Sequence, residues 1–202
     1  MVKSNEPRYE NFQVYRVDGK NKFLEILSRS FEIGKVIFNF VEYDDTKAAG
    51  SRITQQIMIY MDFPRFRVFA HDMLSGRFAK LAEQKTNPLF QDLTGTSAQR
   101  LAAQNRARED GKAESRKLTL SPAAKGFFLT AEAGPGEETE TGLIKPTGSV
   151  ERRVSVLIDP DHAKELVLTT LAAMDAYETA KETVRQFEAI RKARLNTSGK
   201  TA

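Results

Sequence analysis

Cysteine and tryptophan are absent from the 202-residue chain, and histidine occurs only as His71 and His162. Without cysteine there is no disulfide framework, thiol nucleophile, iron–sulfur cluster or Cys-based zinc site. Two histidines so far apart in sequence do not build a His-rich metal centre. No apolar run reaches the roughly 18 residues of a membrane-spanning helix, so no membrane partner is expected. The opening Met-Val-Lys-Ser-Asn-Glu-Pro is polar, which predicts no secretory leader and a cytoplasmic location.

Motifs for catalysis are missing as well. There is no Gly-x-x-x-x-Gly-Lys-Ser/Thr loop, no Gly-x-Gly-x-x-Gly after a strand and no Gly-x-Ser-x-Gly elbow. Gly134-Pro135-Gly136 is followed by Glu137 and Glu138, which would repel a phosphate, so it reads as a hairpin loop. Asp159-Pro160-Asp161-His162 reads as a helix start, because Asp caps free backbone N–H groups and favours the positive helix end. Asp44-Asp45 reads as a solvated turn, and His71 as a histidine at the edge of an apolar helix stripe. No catalytic residue, metal ligand or cofactor is assigned, and a non-enzymatic role is expected.

What the chain does have is a core-forming share of apolar residues, 40%, and a net charge of +4 from 31 Lys/Arg and 27 Asp/Glu. That near-neutral average hides segregation. Residues 97–117 hold six Lys/Arg against three Asp/Glu, residues 181–202 hold six against two, and residues 132–140 are acidic. Segregated positive charge admits a polyanionic partner, although basic residues at a helix end also complement the helix dipole.

Periodicity predicts an α+β fold. Residues 12–17 alternate and meet Asp18-Gly19, a hairpin signal, with a return strand over 22–28. Residues 32–43 and 52–62 are rich in β-branched and aromatic side chains and read as strands. In the second of these, Ile53, Ile57, Ile59 and Met61 share one face, and Thr54, Gln56, Met58 and Tyr60 the other. Asp62 and Pro64 start a helix whose apolar positions Phe66, Phe69, Met73, Leu74, Phe78 and Leu81 fall at three- and four-residue spacing, ending at Asn87-Pro88. Strands over 117–120, 125–132 and 150–158 follow, with a possible short strand at Leu143-Ile144. Asp159-Pro160 then opens a helix whose stripe Val167, Leu171, Met174, Tyr177, Val184, Phe187 and Ile190 outruns a small sheet.

Each half ends on a Gly-Ser loop, an alternating strand, an Asp-Pro start and an amphipathic helix. The expected organisation is two ββββα-like units with antiparallel sheets, at 1–90 and 117–202, each closed by an amphipathic helix and the C-terminal one long. A basic polar connector over 91–116 joins them. This layout resembles that of Whirly-type single-stranded DNA binders and the related transcription-coactivator fold. Where Whirly proteins carry Lys-Gly-Lys-Ala-Ala-Leu, the chain has Lys125-Gly126-Phe127-Phe128. The resemblance implies sheet faces that grip single strands and helices that pair subunits.

A sequence-tolerant single-strand binder needs cations for phosphates and exposed rings on which any base stacks. The expected set is Lys35, Arg52, Lys125, Arg152 and Arg153 for phosphates, with Tyr43, Tyr60, Phe127 and Phe128 for stacking. The expected partner is single-stranded nucleic acid, DNA in preference to RNA, bound by a homo-oligomer formed through helices. The alternative is a protein–protein adaptor that works through its long helix.

Overall fold

The computed structural model of the protein describes residues 12–198, with side chains described to residue 192. It is a mixed α+β fold with two antiparallel sheets. The first sheet is a meander of β1 (Gln13–Gly19), β2 (Lys22–Leu27), β3 (Lys35–Tyr43) and β4 (Ile53–Asp62) in that order. Helices α1 (Phe63–Leu74) and α2 (Arg77–Glu83) follow it. The second sheet holds β5 (Phe90–Thr96), β6 (Ala113–Ala123), β7 (Gly126–Glu138) and β9 (Arg152–Ile158), with the short β8 (Ile144–Pro146) on the far end of β7. A helix α3 (Ala98–Ala103) lies between β5 and β6, and α4 (Pro160–Ser198) ends the described chain.

The two units therefore share the grammar of four meandering strands and a helix, with β8 as an addition. The segment expected to be a connector is structured: β5 pairs with β6 from Phe90↔Leu120 to Thr96↔Glu114, and α3 folds back with Leu101 buried. The start of β6 is hidden because Glu114, Ser115 and Arg116 are buried polar residues, so no apolar alternation marks it. The strands expected over 117–120 and 125–132 run to 11 and 13 residues for a similar reason, since β7 continues through Gly134-Pro135-Gly136.

Local turns account for the other departures. The first hairpin turns on Lys20-Asn21, with Gly19 paired to Lys22 and Asn21 taking the left-handed φ of 57°. The first helix is broken in two at Gly76, whose φ of 74° an L side chain adopts only with strain. Asp62 makes no capping bond; its carboxylate accepts from Lys35 Nζ at 2.6 Å. Asp159 does cap α4, accepting from the N–H groups of Asp161 and His162 at 3.0 Å each. Ile53 is 58% exposed instead of joining Ile57 and Ile59 in the core, because a register shift at Glu42/Tyr43 pairs it with Tyr43.

A single apolar core draws on both sheets. Leu24, Ile26, Phe38, Phe40, Ile57 and Ile59 come from one, and Leu118, Leu120, Leu129, Val154 and Val156 from the other. Helix α1 seals the junction. Its Phe69 ring lies 4.9 Å from Phe90 of β5, 5.6 Å from Phe78 of α2, and 6.2 Å from both Phe38 of β3 and Phe66. Helix α4 packs Ala163, Leu166, Val167 and Met174 into the same core. It is tied to β1 by Tyr15 Oη donating to Glu165 at 2.7 Å, and to α1 by Arg67 with Asp175 and Glu178. Burial first, then Glu165, holds the Tyr15 hydroxyl well above its ordinary pKa.

Because Phe69 touches rings from three other elements, Phe69→Ala opens a cavity where the two sheets meet. The expected loss is about 3–5 kcal/mol in denaturant unfolding. A loss under about 1 kcal/mol would show that the sheets are held together elsewhere.

Candidate nucleic-acid interface

The outer face of the first sheet is less exposed than strand alternation implies. Ile37, Asn39 and Val41 of β3 are buried on it, and a polar chain crosses it. Gln56 donates to Asn39 at 2.8 Å, Asn39 to Glu25 at 3.1 Å, and Arg16 pairs with Glu25 and Asp18. At one end of this face Tyr43 packs against Phe23 with ring centroids 6.0 Å apart, and Arg52 donates to the Lys47 carbonyl at 3.0 Å. At the other end stand Lys35 and Tyr60. Tyr43 lies six residues along β3 from the Tyr60 partner Ile37, about 20 Å at the strand rise.

The second sheet separates the remaining expected residues. Phe127 points inward and is 8% exposed, so it is a core residue and not a stacking surface. Arg152 also points inward. Its guanidinium pairs with buried Glu114 and donates to the Gln56 carbonyl at 2.9 Å, tying the two sheets, so it is not offered to a phosphate. Phe128, 41% exposed, sits on the outer face beside Leu157. Arg153 shares that face but is paired with Glu132, which also takes Lys117. Lys125 is exposed in the β6–β7 turn. The nine residues thus fall in several separate places, and only Lys35 and Tyr60 share a concave site.

That site is a groove of about 570 Å³ between the Lys35–Tyr60 end of the first sheet and the β5, α3 and β8 edge of the second. Six cations line it, Lys35, Arg65, Arg100, Arg106, Arg116 and Lys145, against two carboxylates, Asp62 and Asp92. Lys35 is taken by Asp62, and Arg65 by Asp92 at 3.2 Å with its guanidinium over the Phe90 ring. Burial raises the Asp92 carboxyl above its ordinary pKa, a push that Arg65 only partly opposes. Arg100, Arg106 and Lys145 are exposed and have no acidic partner among the described residues. Tyr60, Ile33, Leu93 and Leu143 supply ring and apolar wall.

Two local devices hold the groove open. Arg108 reaches both Glu151 and Asp110 at 2.8–3.0 Å, fixing the loop that carries Arg106. The same guanidinium pulls the Asp110 carboxyl down to about 2. The β8 wall is keyed by Ile144, which occupies the space a Cβ would need at Gly95 (2.5 Å) and at Gly136 (2.6 Å). Arg100, Arg106 and Arg116 are not individually legible in the sequence, because the segment that carries them reads as a polar connector. The signal is the twofold basic excess within 97–117, six Lys/Arg against three Asp/Glu. Among the described residues, no cluster of histidine and carboxylate side chains is placed to hold a metal ion, and no helix is long and apolar enough to cross a membrane.

On the outer face of the second sheet, burial pushes Glu132 up, but Lys117 and Arg153 outweigh it and hold the carboxyl below its ordinary 4.5. A depressed carboxyl adds stability above the unfolded pKa and loses it as pH falls through the folded value. Melting temperature is expected to drop as pH falls from about 5 to about 3, and Glu132→Gln is expected to flatten that part of the curve. An unchanged slope in the variant would remove Glu132 from the account. No protein-family model matches the chain, and no curated protein does.

Proposed function

We propose that the protein is a non-enzymatic, sequence-tolerant binder of single-stranded nucleic acid that pairs with a second copy through α4. The observation that carries the reading is the groove, where cations outnumber carboxylates six to two and three of them have no acidic partner among the described residues. Guanidinium and ammonium groups take phosphates whatever the base, which gives binding without sequence preference. Tyr60 and the apolar wall offer surface to base faces, which a single strand exposes and a duplex keeps stacked. Tyr43 with Phe23, about 20 Å away on the same sheet face, offers a second stacking point.

A separate observation supports pairing through the helix. Past the Arg67–Glu178 pair the apolar side chains of α4 become exposed: Val184, Phe187 and Ile190 are 58%, 69% and 51% exposed. Tyr177, Ala180, Val184 and Phe187 alternate at three- and four-residue spacing, the seam of a two-stranded coiled coil. The seam is continuous with Leu171 and Met174, which pack on the core, and is flanked by both charge signs: Glu178, Lys181, Glu182, Arg185 and Glu188. A second copy of the same helix satisfies both features.

Two measurements test these readings. Labelled single-stranded DNA is expected to bind at low salt. With about four phosphates neutralised, affinity is expected to fall by roughly 50-fold between 50 and 200 mM salt. Arg106→Glu with Lys145→Glu should weaken binding at least about ten-fold; no binding at low salt, or binding indifferent to salt, overturns the proposal. Phe187→Asp is expected to shift the particle mass in light scattering from a multiple of 22.7 kDa to that value while binding persists. Loss of all binding with the helix pairing would favour an adaptor working through α4.

A further inference from the structure

Beneath the groove lies a charge imbalance. Glu114 and Arg116 have side chains only 6% and 7% exposed, and the one Glu114 carboxylate accepts from both Arg116 and Arg152. Arg152 is relieved by being 37% exposed and by the nearby Glu151 carboxylate, whereas Arg116 is buried with Glu114 as its one carboxylate partner among the described residues, and a buried guanidinium short of acceptors is costly. Arg116 commits its Nη2 to Glu114; its Nε and Nη1 have no protein partner among the described residues, yet neither is sealed from solvent. Arg116 lines the groove, where Arg100 of α3 and Arg106 in the loop after it are the partnerless guanidiniums.

We infer that the groove floor is a seat for a phosphate monoester, formed by Arg116 with Arg100 and Arg106. This deepens the nucleic-acid reading and rests on it for the strand, but not for the phosphate. The planar fork of an arginine matches phosphate oxygens two at a time, and such charge-assisted bonds are the strong ones. A monoester is close to dianionic near neutral pH, whereas a phosphodiester inside a strand carries a single charge. Three guanidiniums lining one groove, one buried and two exposed without an acidic partner among the described residues, favour the dianion. The groove volume of about 570 Å³ is enough for a mononucleotide-sized group, walled on one side by the keyed β8 segment. The group that fits is the phosphorylated end of a strand or a mononucleotide, which share this chemistry.

The test uses the full chain and one internally labelled single-stranded DNA in three forms: 5′-phosphorylated, 3′-phosphorylated and without terminal phosphate. One phosphorylated form is expected to bind about ten-fold more tightly than the form without, the value of one added charge-assisted bond. Inorganic phosphate at matched ionic strength is expected to erase that difference. Arg100→Gln with Arg106→Gln changes two exposed side chains and is expected to reduce the preference below about two-fold, with thermal unfolding confirming an intact fold. A mononucleotide that competes with the phosphorylated strand, and fails to compete in the double variant, supports the seat and assigns it to the free nucleotide as well. Equal affinity for all three strands, with salt dependence intact, overturns the seat and leaves the groove reading standing. A preference that survives in the double variant also overturns it. Absence of binding by every strand and by the mononucleotide overturns both.

Discussion

The contact of Phe69 with rings from β3, α2 and β5 is the constraint on which the rest of the molecule rests. Two four-stranded meanders of this length each bury one face and have nothing intrinsic to fix their mutual placement. A helix that ends one unit and inserts its aromatic edge between both sheets supplies that placement. Aromatic side chains suit the position because each covers a large area with few rotatable bonds. Once α1 is seated, β4 and β5 run close enough for their edges to form the two walls of one groove.

Charge follows the same frame. Ionic groups inside the molecule join the sheets, with Arg152 spanning from Glu114 to the Gln56 carbonyl. Arg100, Arg106 and Lys145 of the groove are different in kind, held on short segments that contribute little to the core, and α3 buries only Leu101. The exposed ion pairs of Arg67 and Arg16 orient α4 and β1 but add little to stability individually.

The strand–strand–strand–strand–helix order was legible because its strong elements carry simple periodicities. The Phe38/Phe40 and Ile57/Ile59/Met61 patterns lie on strands with one face in the core, and the α4 stripe from Val167 to Tyr177 lies on a core-facing helix. Where burial was polar the pattern failed, and β5 and the start of β6 were lost with it, since Glu114 and Arg116 look like solvent residues in any window. Of the site, Lys35 and Tyr60 were legible as cation and ring on the outer strand faces. Phe127 and Arg152 were not distinguishable from Phe128 and Arg153 by type; strand parity separates them, and it needs the register of β7 and β9 to assign inside and outside. Arg65, Arg100, Arg106 and Lys145 come together only through tertiary placement of separate segments, which no local spacing encodes.

The keying of Ile144 between Gly95 and Gly136 sets the groove wall apart from the rings around Phe69. The wall is a short strand at the end of β7 whose fit depends on one side chain and two missing ones. Exchanging those three residues changes the width of the mouth without touching any ring around Phe69. The shape of the rim can therefore vary by substitution while the aromatic contacts of the two-sheet body are kept.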